Sequence, residues 1–156
     1  MKTLVIVTGP TGSGKTDLAI DIAASLDTEI VSADSRQIFR GIPIGTAVPS
    51  PEQLARVRHH FVETLGLEEY YSAAMYEEEA LATLDTIWAT RDYAVMCGGS
   101  MMYIDAVTKG IDPLPTISAD IRDKALDIYN KGGIPALINT LRTLDHAYLT
   151  ECDLNN

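Results

Sequence analysis

The sequence predicts an α/β fold, a parallel sheet with flanking helices, followed by a small and incomplete helical segment. Three observations carry this expectation. Thr3 to Thr8 is apolar and β-branched almost throughout, and it runs straight into a glycine-rich loop and then an amphipathic stretch. The same succession of strand, glycine turn and helix returns between Tyr93 and Lys109. Beyond Asp112-Pro113-Leu114-Pro115 only helical patterns remain. Single strands alternating with helices make parallel βα units, and a strand covered on both faces reads as a continuous apolar run.

Each element follows from its local pattern. Thr3 to Thr8 is expected to be a strand buried on both faces. From Lys15 onward, Leu18, Ala19, Ile22, Ala23 and Leu26 recur at helical spacing. Glu29-Ile30-Val31-Ser32 predicts a second strand ending at Ala33-Asp34-Ser35, and the ends of such strands display ligand-binding groups. The segment Gly41 to Pro49 is too rich in Gly and Pro for a regular element and is read as a surface loop. Ser50-Pro51-Glu52-Gln53 has the form of a capping box opening a short helix.

Ser72 is placed to cap a helix reaching about Arg91, with Ala73, Tyr76, Ala80, Leu84 and Ile87 on its core face and Glu77, Glu78 and Glu79 in water. Tyr93 to Cys97 predicts the third strand, Gly98-Gly99-Ser100 a tight turn, and Met101 to Lys109 a helix closed by Gly110. Met101, Met102 and Tyr103 are read as helix packing in preference to a ligand pocket. Two further helices are expected, Ser118 to Asn130 and Ile134 to Leu144, parted by Gly132-Gly133. The organisation predicted is therefore an α/β core over residues 1–113 and the start of a helical domain over 114–156.

Bulk properties narrow the class. A chain of 156 residues is one main domain long. No apolar run approaches the roughly 20 residues of a membrane span. The short apolar N-terminus leads into the glycine loop and not into a small-residue cleavage site, so a cytoplasmic protein is expected. Cys97 and Cys152 lack metal or disulfide spacing and are read as reduced thiols. His59-His60 is a poor metal pair, because adjacent side chains diverge. A net charge of -10 argues against general nucleic-acid binding, which needs clustered Lys and Arg.

The chemistry begins at Gly9-Pro10-Thr11-Gly12-Ser13-Gly14-Lys15-Thr16, a P-loop lying between the predicted first strand and helix. Its glycines let the backbone wrap with N–H groups inward, and the helix N-terminus adds a favourable dipole, so a di- or triphosphate is gripped by the backbone itself. Lys15 supplies a point charge to the phosphates and the Thr16 hydroxyl a ligand for Mg2+. A P-loop ATPase normally keeps a carboxylate on a neighbouring strand for the metal, and Val95-Met96-Cys97-Gly98-Gly99 has none. Asp34 is the nearest acidic substitute. Beside a diphosphate leaving group it is placed to act as a general base on an incoming nucleophile, or else as a turn cap or a water-mediated metal ligand.

Together, Gly9 to Thr16, Asp34-Ser35-Arg36-Gln37, Gly45-Thr46-Ala47, Tyr71-Ser72-Ala73-Ala74 and Gly98-Gly99-Ser100, in that order, resemble the tRNA dimethylallyltransferases, also called tRNA isopentenyltransferases. The resemblance implies transfer of a dimethylallyl group from dimethylallyl diphosphate to the exocyclic amine of the adenosine just 3′ of the anticodon, with release of pyrophosphate. It implies that Gly9 to Thr16 cradle the diphosphate with Mg2+ at Thr16, and that Asp34 takes the amine proton. Ser35, Arg36 and Gln37 would lie beside the target adenosine of the tRNA anticodon loop, and Ser100 would offer a hydroxyl near the diphosphate or substrate where the family usually has Thr. Arg122 falls where the family places an arginine near the tRNA. A monomer is expected.

Phe39 and Val48 depart from the Tyr and Lys usual in the family. The sequence stops at Leu154-Asn155-Asn156, where the family continues into an arginine-rich stretch, so the chain is expected to be truncated at about half the usual length. Two other readings use the same loop: a small-molecule or nucleotide kinase with Asp34 as base for a hydroxyl acceptor, and a phosphate-binding module without catalysis.

Overall fold

In the computed structural model, which describes residues 1–111 and 117–152, the chain divides into two units, Met1–Asp112 and Pro113–Asn156. The first unit carries β1 (Thr3–Thr8), α1 (Lys15–Ser25), β2 (Ile30–Ser32), α2 (Pro43–Thr46), α3 (Pro51–Arg56), β3 (His59–His60), α4 (Ala73–Trp88), β4 (Tyr93–Gly98) and α5 (Met101–Lys109). Its four strands form one parallel sheet in the order β1-β4-β2-β3.

β4 sits between β1 and β2 and is buried from Ala94 to Gly98, so its continuous apolar run divides by alternation. Ala94 and Met96 join one core with Tyr76, Ala80, Leu84 and Ile87 of α4 and Tyr103 and Ile104 of α5. Val95 and Cys97 join a second core with Ala19, Ile20 and Ala23 of α1. Two apolar layers on opposite faces of one sheet thus explain why β4 shows no polar alternation.

β1 corrects the sequence reading. Only Val7 is buried, and Ile6 is 38% exposed. The reason is position, since β1 pairs with β4 alone and lies at an edge of the sheet. β3 was not predicted. With only two residues it carries no periodicity, yet His59 and His60 pair in parallel with Ile30 and Val31, so the strand expected to be third is the fourth in the chain. The loop read across Gly41 to Pro49 contains one helical turn, α2, with Pro43 at its start. Met101 and Met102 are 52% and 71% exposed and do not pack as expected, whereas Tyr103 is buried.

The helix caps follow the sequence. Ser50 and Gln53 exchange both bonds of a capping box at α3, and Ser72 accepts from the Met75 amide at α4. The second unit holds α6 (Ala119–Leu144) and α7 (His146–Glu151). Gly133 breaks α6 with φ 62° and ψ -160°, so two helical stretches meet at the glycine pair. No helix among the described residues is long and apolar enough to cross a membrane. The Asp112-Pro113-Leu114-Pro115 segment and the terminal Leu154-Asn155-Asn156 lie outside the described residues.

Candidate functional site

The end of β1 delivers the chain to the P-loop. Gly12 and Gly14 both take φ +80°, a conformation that Cβ disfavours, while Ser13 between them does not. Such an alternation turns successive N–H groups toward one concave side. Gly14 is also the residue from which α1 starts, so the open N–H groups of the first helical turn adjoin the loop. The Ser13 amide donates to the Pro10 carbonyl at 3.3 Å, and Lys15 Nζ donates to the same carbonyl at 3.1 Å.

A cleft of about 260 Å³ opens here, near the lower end of the ~300–1,000 Å³ usual for small-molecule sites. Thr11, Gly12, Gly14, Lys15 and Thr16 line one side, and Asp34 and Gln37 line it from the end of β2. Gly9, Pro10 and Ser13 shape the loop without lining this cleft. Thr46, Ala47, Pro49, Asp17 and Gln53 complete the wall. These five were missed as site residues. Thr46 and Ala47 stood in the sequence as part of Gly45-Thr46-Ala47, and Asp17 as the neighbour of Thr16. Gln53 gave no signal beyond its cap.

Asp34 sits half-buried on a turn that it stabilises itself. Its Oδ1 accepts from the amides of Arg36 at 3.0 Å and Gln37 at 3.3 Å, while Oδ2 makes no hydrogen bond among the described residues. The turn-capping role is therefore real, and it occupies one oxygen only. The Gln37 amide group donates to the carbonyls of Thr46 at 3.2 Å and Ala47 at 3.0 Å, which latches α2 beside the cleft. Gln53 Nε2 donates to Asp17 Oδ1 at 2.6 Å and fastens α3 to α1.

Ser35, Arg36 and Ser100 do not line this cleft. Ser100 instead accepts from the Ser35 amide at 2.9 Å and donates to Ser35 Oγ at 3.0 Å. Arg122 lies exposed on α6, in the second unit.

Electrostatics tie the neighbourhood together. Burial pushes the Cys97 thiol up, with Lys15 opposing and Asp34 reinforcing that shift. Cys97 Sγ lies 3.7 Å from the Lys15 carbonyl, behind the loop. Burial first, and then the charge of Asp34, raises the Tyr103 phenol. Tyr103 stacks on Tyr76 with ring centroids 4.1 Å apart, and the Tyr76 hydroxyl donates to the Ser32 carbonyl at 2.9 Å. No group of three or more His, Cys, Asp or Glu suited to a metal occurs among the described residues. What the cleft offers is oxygen, from Thr16 and Asp34, a donor set that suits Mg2+ when phosphate oxygens complete the shell.

The sequence model described as IPP transferase matches residues 37–156. A tRNA dimethylallyltransferase 1 of Phocaeicola vulgatus is 51% identical over 99% of this chain and 51% of its own length. A tRNA dimethylallyltransferase of Flavobacterium johnsoniae is 42% identical over 100% of this chain and 50% of its own. Among solved structures, the full-length tRNA isopentenylpyrophosphate transferase of Bacillus halodurans aligns over 100% of this chain and 52% of that one, at 29% identity and TM-score 0.70. A eukaryotic dimethylallyltransferase described as acting on tRNA shares the fold at TM-score 0.78 and 24% identity, over 39% of its length. The chain spans about half the length of the curated relatives it matches. With a family model over most of its length and relatives at this identity, the chain belongs to the IPP transferase family of tRNA dimethylallyltransferases.

Proposed function

We propose that this protein transfers a dimethylallyl group from dimethylallyl diphosphate to the exocyclic amine of the adenosine 3′ of the anticodon of tRNA, releasing pyrophosphate. The observation that carries the reading is the shared cleft, in which the P-loop and Asp34 face one volume. As the allylic C–O bond breaks, negative charge builds on the diphosphate. The Gly9-Pro10-Thr11-Gly12-Ser13-Gly14 backbone and Lys15 are the groups that stabilise that charge. The aromatic amine is a weak nucleophile and needs a base within reach. Asp34 Oδ2, which has no hydrogen-bond partner among the described residues, takes that proton.

Thr16 would hold Mg2+, which supplies further neutralisation of the diphosphate charge. Ser35, Arg36 and Gln37 complete the adenosine side, with the Ser100 hydroxyl behind them on Ser35, and Arg122 contacts the tRNA from the helical unit. A base in the anticodon loop costs less to unstack than one inside a duplex, which suits an enclosed reaction centre. The tRNA substrate supports a cytoplasmic site of action.

The test is transfer of labelled dimethylallyl from its diphosphate to an anticodon stem-loop RNA, by the protein translated from its complete coding region. Label appearing on the adenosine, with pyrophosphate in equal amount, is the expected result. Consumption of ATP with no label on RNA would replace this reading with the kinase.

A further inference from the structure

We propose that Ser100 is a positioning residue, which fixes the turn bearing Asp34 through the Ser35 amide instead of touching the diphosphate; the proposal rests on the prenyl-transfer reading above. The argument starts where β2 and β4 end side by side. The Ala33 amide donates to the Cys97 carbonyl at 2.8 Å, and the Ser100 amide donates to the Ala33 carbonyl at 3.0 Å. The sheet ladder thus continues past both strands into the turns. This approach demands a glycine, since a Cβ on Gly98 would lie 2.1 Å from the Ala33 carbonyl oxygen.

Beyond Ala33, three consecutive amides have defined acceptors. Asp34 Oδ1 takes those of Arg36 and Gln37, and Ser100 Oγ takes that of Ser35 at 2.9 Å. The Ser100 hydroxyl is engaged in the other sense as well, because its proton goes to Ser35 Oγ at 3.0 Å. Asp34 reaches the cleft while Ser100 does not, so removing the Ser100 hydroxyl acts on the carboxylate through the turn. From the other face, Tyr76 holds the Ser32 carbonyl at 2.9 Å, so the strand entering the turn is pinned independently. Misplacing a reacting group by about 1 Å can cost about 10²-fold in rate.

Ser100→Ala and Ser100→Thr decide the matter, each followed by amide hydrogen exchange and by steady-state transfer. Ser100→Ala is expected to speed exchange of the Ser35 amide about tenfold or more while α1 and β4 amides keep their protection. It is expected to lower kcat by about 10- to 100-fold and to leave KM for dimethylallyl diphosphate within about twofold. Ser100→Thr, which keeps a hydroxyl, should recover Ser35 protection and most of the lost kcat. Unchanged Ser35 exchange in the Ala variant, or a KM rise above about tenfold with the turn intact, would overturn the proposal in favour of direct substrate contact. Should the wild type show no prenyl transfer, the reading above fails, and Ser35 exchange still tests the Ser100 tether by itself.

Discussion

Asp34 divides its carboxylate between two uses, and an asparagine separates them. Asn keeps an oxygen able to accept from the Arg36 and Gln37 amides, 3.0 and 3.3 Å away, and removes the base. Asp34→Asn is therefore expected to fold as the wild type does, to bind dimethylallyl diphosphate as tightly or more tightly, and to lose about 10²- to 10⁴-fold in transfer. Prenyl-transfer kinetics beside calorimetric binding check this, and full activity in the Asn variant would remove Asp34 from the chemistry. Lys15→Ala has the opposite signature. Its ammonium, now on the Pro10 carbonyl at 3.1 Å, is free to swing onto a phosphate, and a charged hydrogen bond of about 1.5–3 kcal/mol predicts roughly 10- to 150-fold weaker diphosphate binding. Both residues were legible because each stands in a local pattern, a glycine loop or a strand end. Gln53 was not, because its place on the cleft wall depends on α3 folding against α1, a contact 36 residues apart in sequence.

At the scale of elements, β2 and β4 approach so closely at their ends that one position admits only glycine. In Gly98→Ala the new Cβ would meet the oxygen, carbon and Cα of Ala33 at 2.1, 2.2 and 2.8 Å, all backbone atoms with no rotamer to yield. Strain of about 1–3 kcal/mol is expected, toward the upper end. Urea midpoints should fall accordingly, and transfer should drop along with them because Asp34 follows Ala33 directly. An unchanged midpoint would mean that the two turns separate easily. The strand, the turn and the helix around Gly98 were readable from apolar run, glycine pair and periodicity. The requirement for glycine at Gly98 in particular was not readable, because it arises from a neighbour 65 residues earlier in the chain. β3 stayed hidden for a related reason. Two histidines have no strand signal of their own, and they become a strand only because Ile30 and Val31 offer them an edge.

Over the whole molecule, the sequence made the two-sided sheet plain and left strand order open. Val95 and Cys97 face α1 while Ala94 and Met96 face α4 and α5, which an unbroken apolar run permits without assigning either face. The edge position of β1 likewise comes from topology and not from Thr3 to Thr8. Global stability carries a pH signature from the sheet's other edge. Burial lowers the His59 imidazole below its usual 6.5, the adjacent His60 lowers it further, and the bond to the Val57 carbonyl opposes both. Facing this edge are Glu29, which accepts from His60 Nε2 at 2.7 Å, and Arg58 and Arg91, each paired with Glu29. With the folded-state pKa below the unfolded one, the unfolded chain binds more protons in the interval between them. The contribution of His59 is therefore complete above about pH 6.5 and declines as pH falls from there toward the folded-state value. His59→Asn keeps an amide able to donate to the Val57 carbonyl and removes the titration. Unfolding midpoints measured from pH 5 to 8 should fall less steeply on the acid side in that variant than in the wild type, and the difference between the two profiles reports the loss of the His59 imidazole. Parallel profiles would show that His59 is protonated as readily in the fold as out of it.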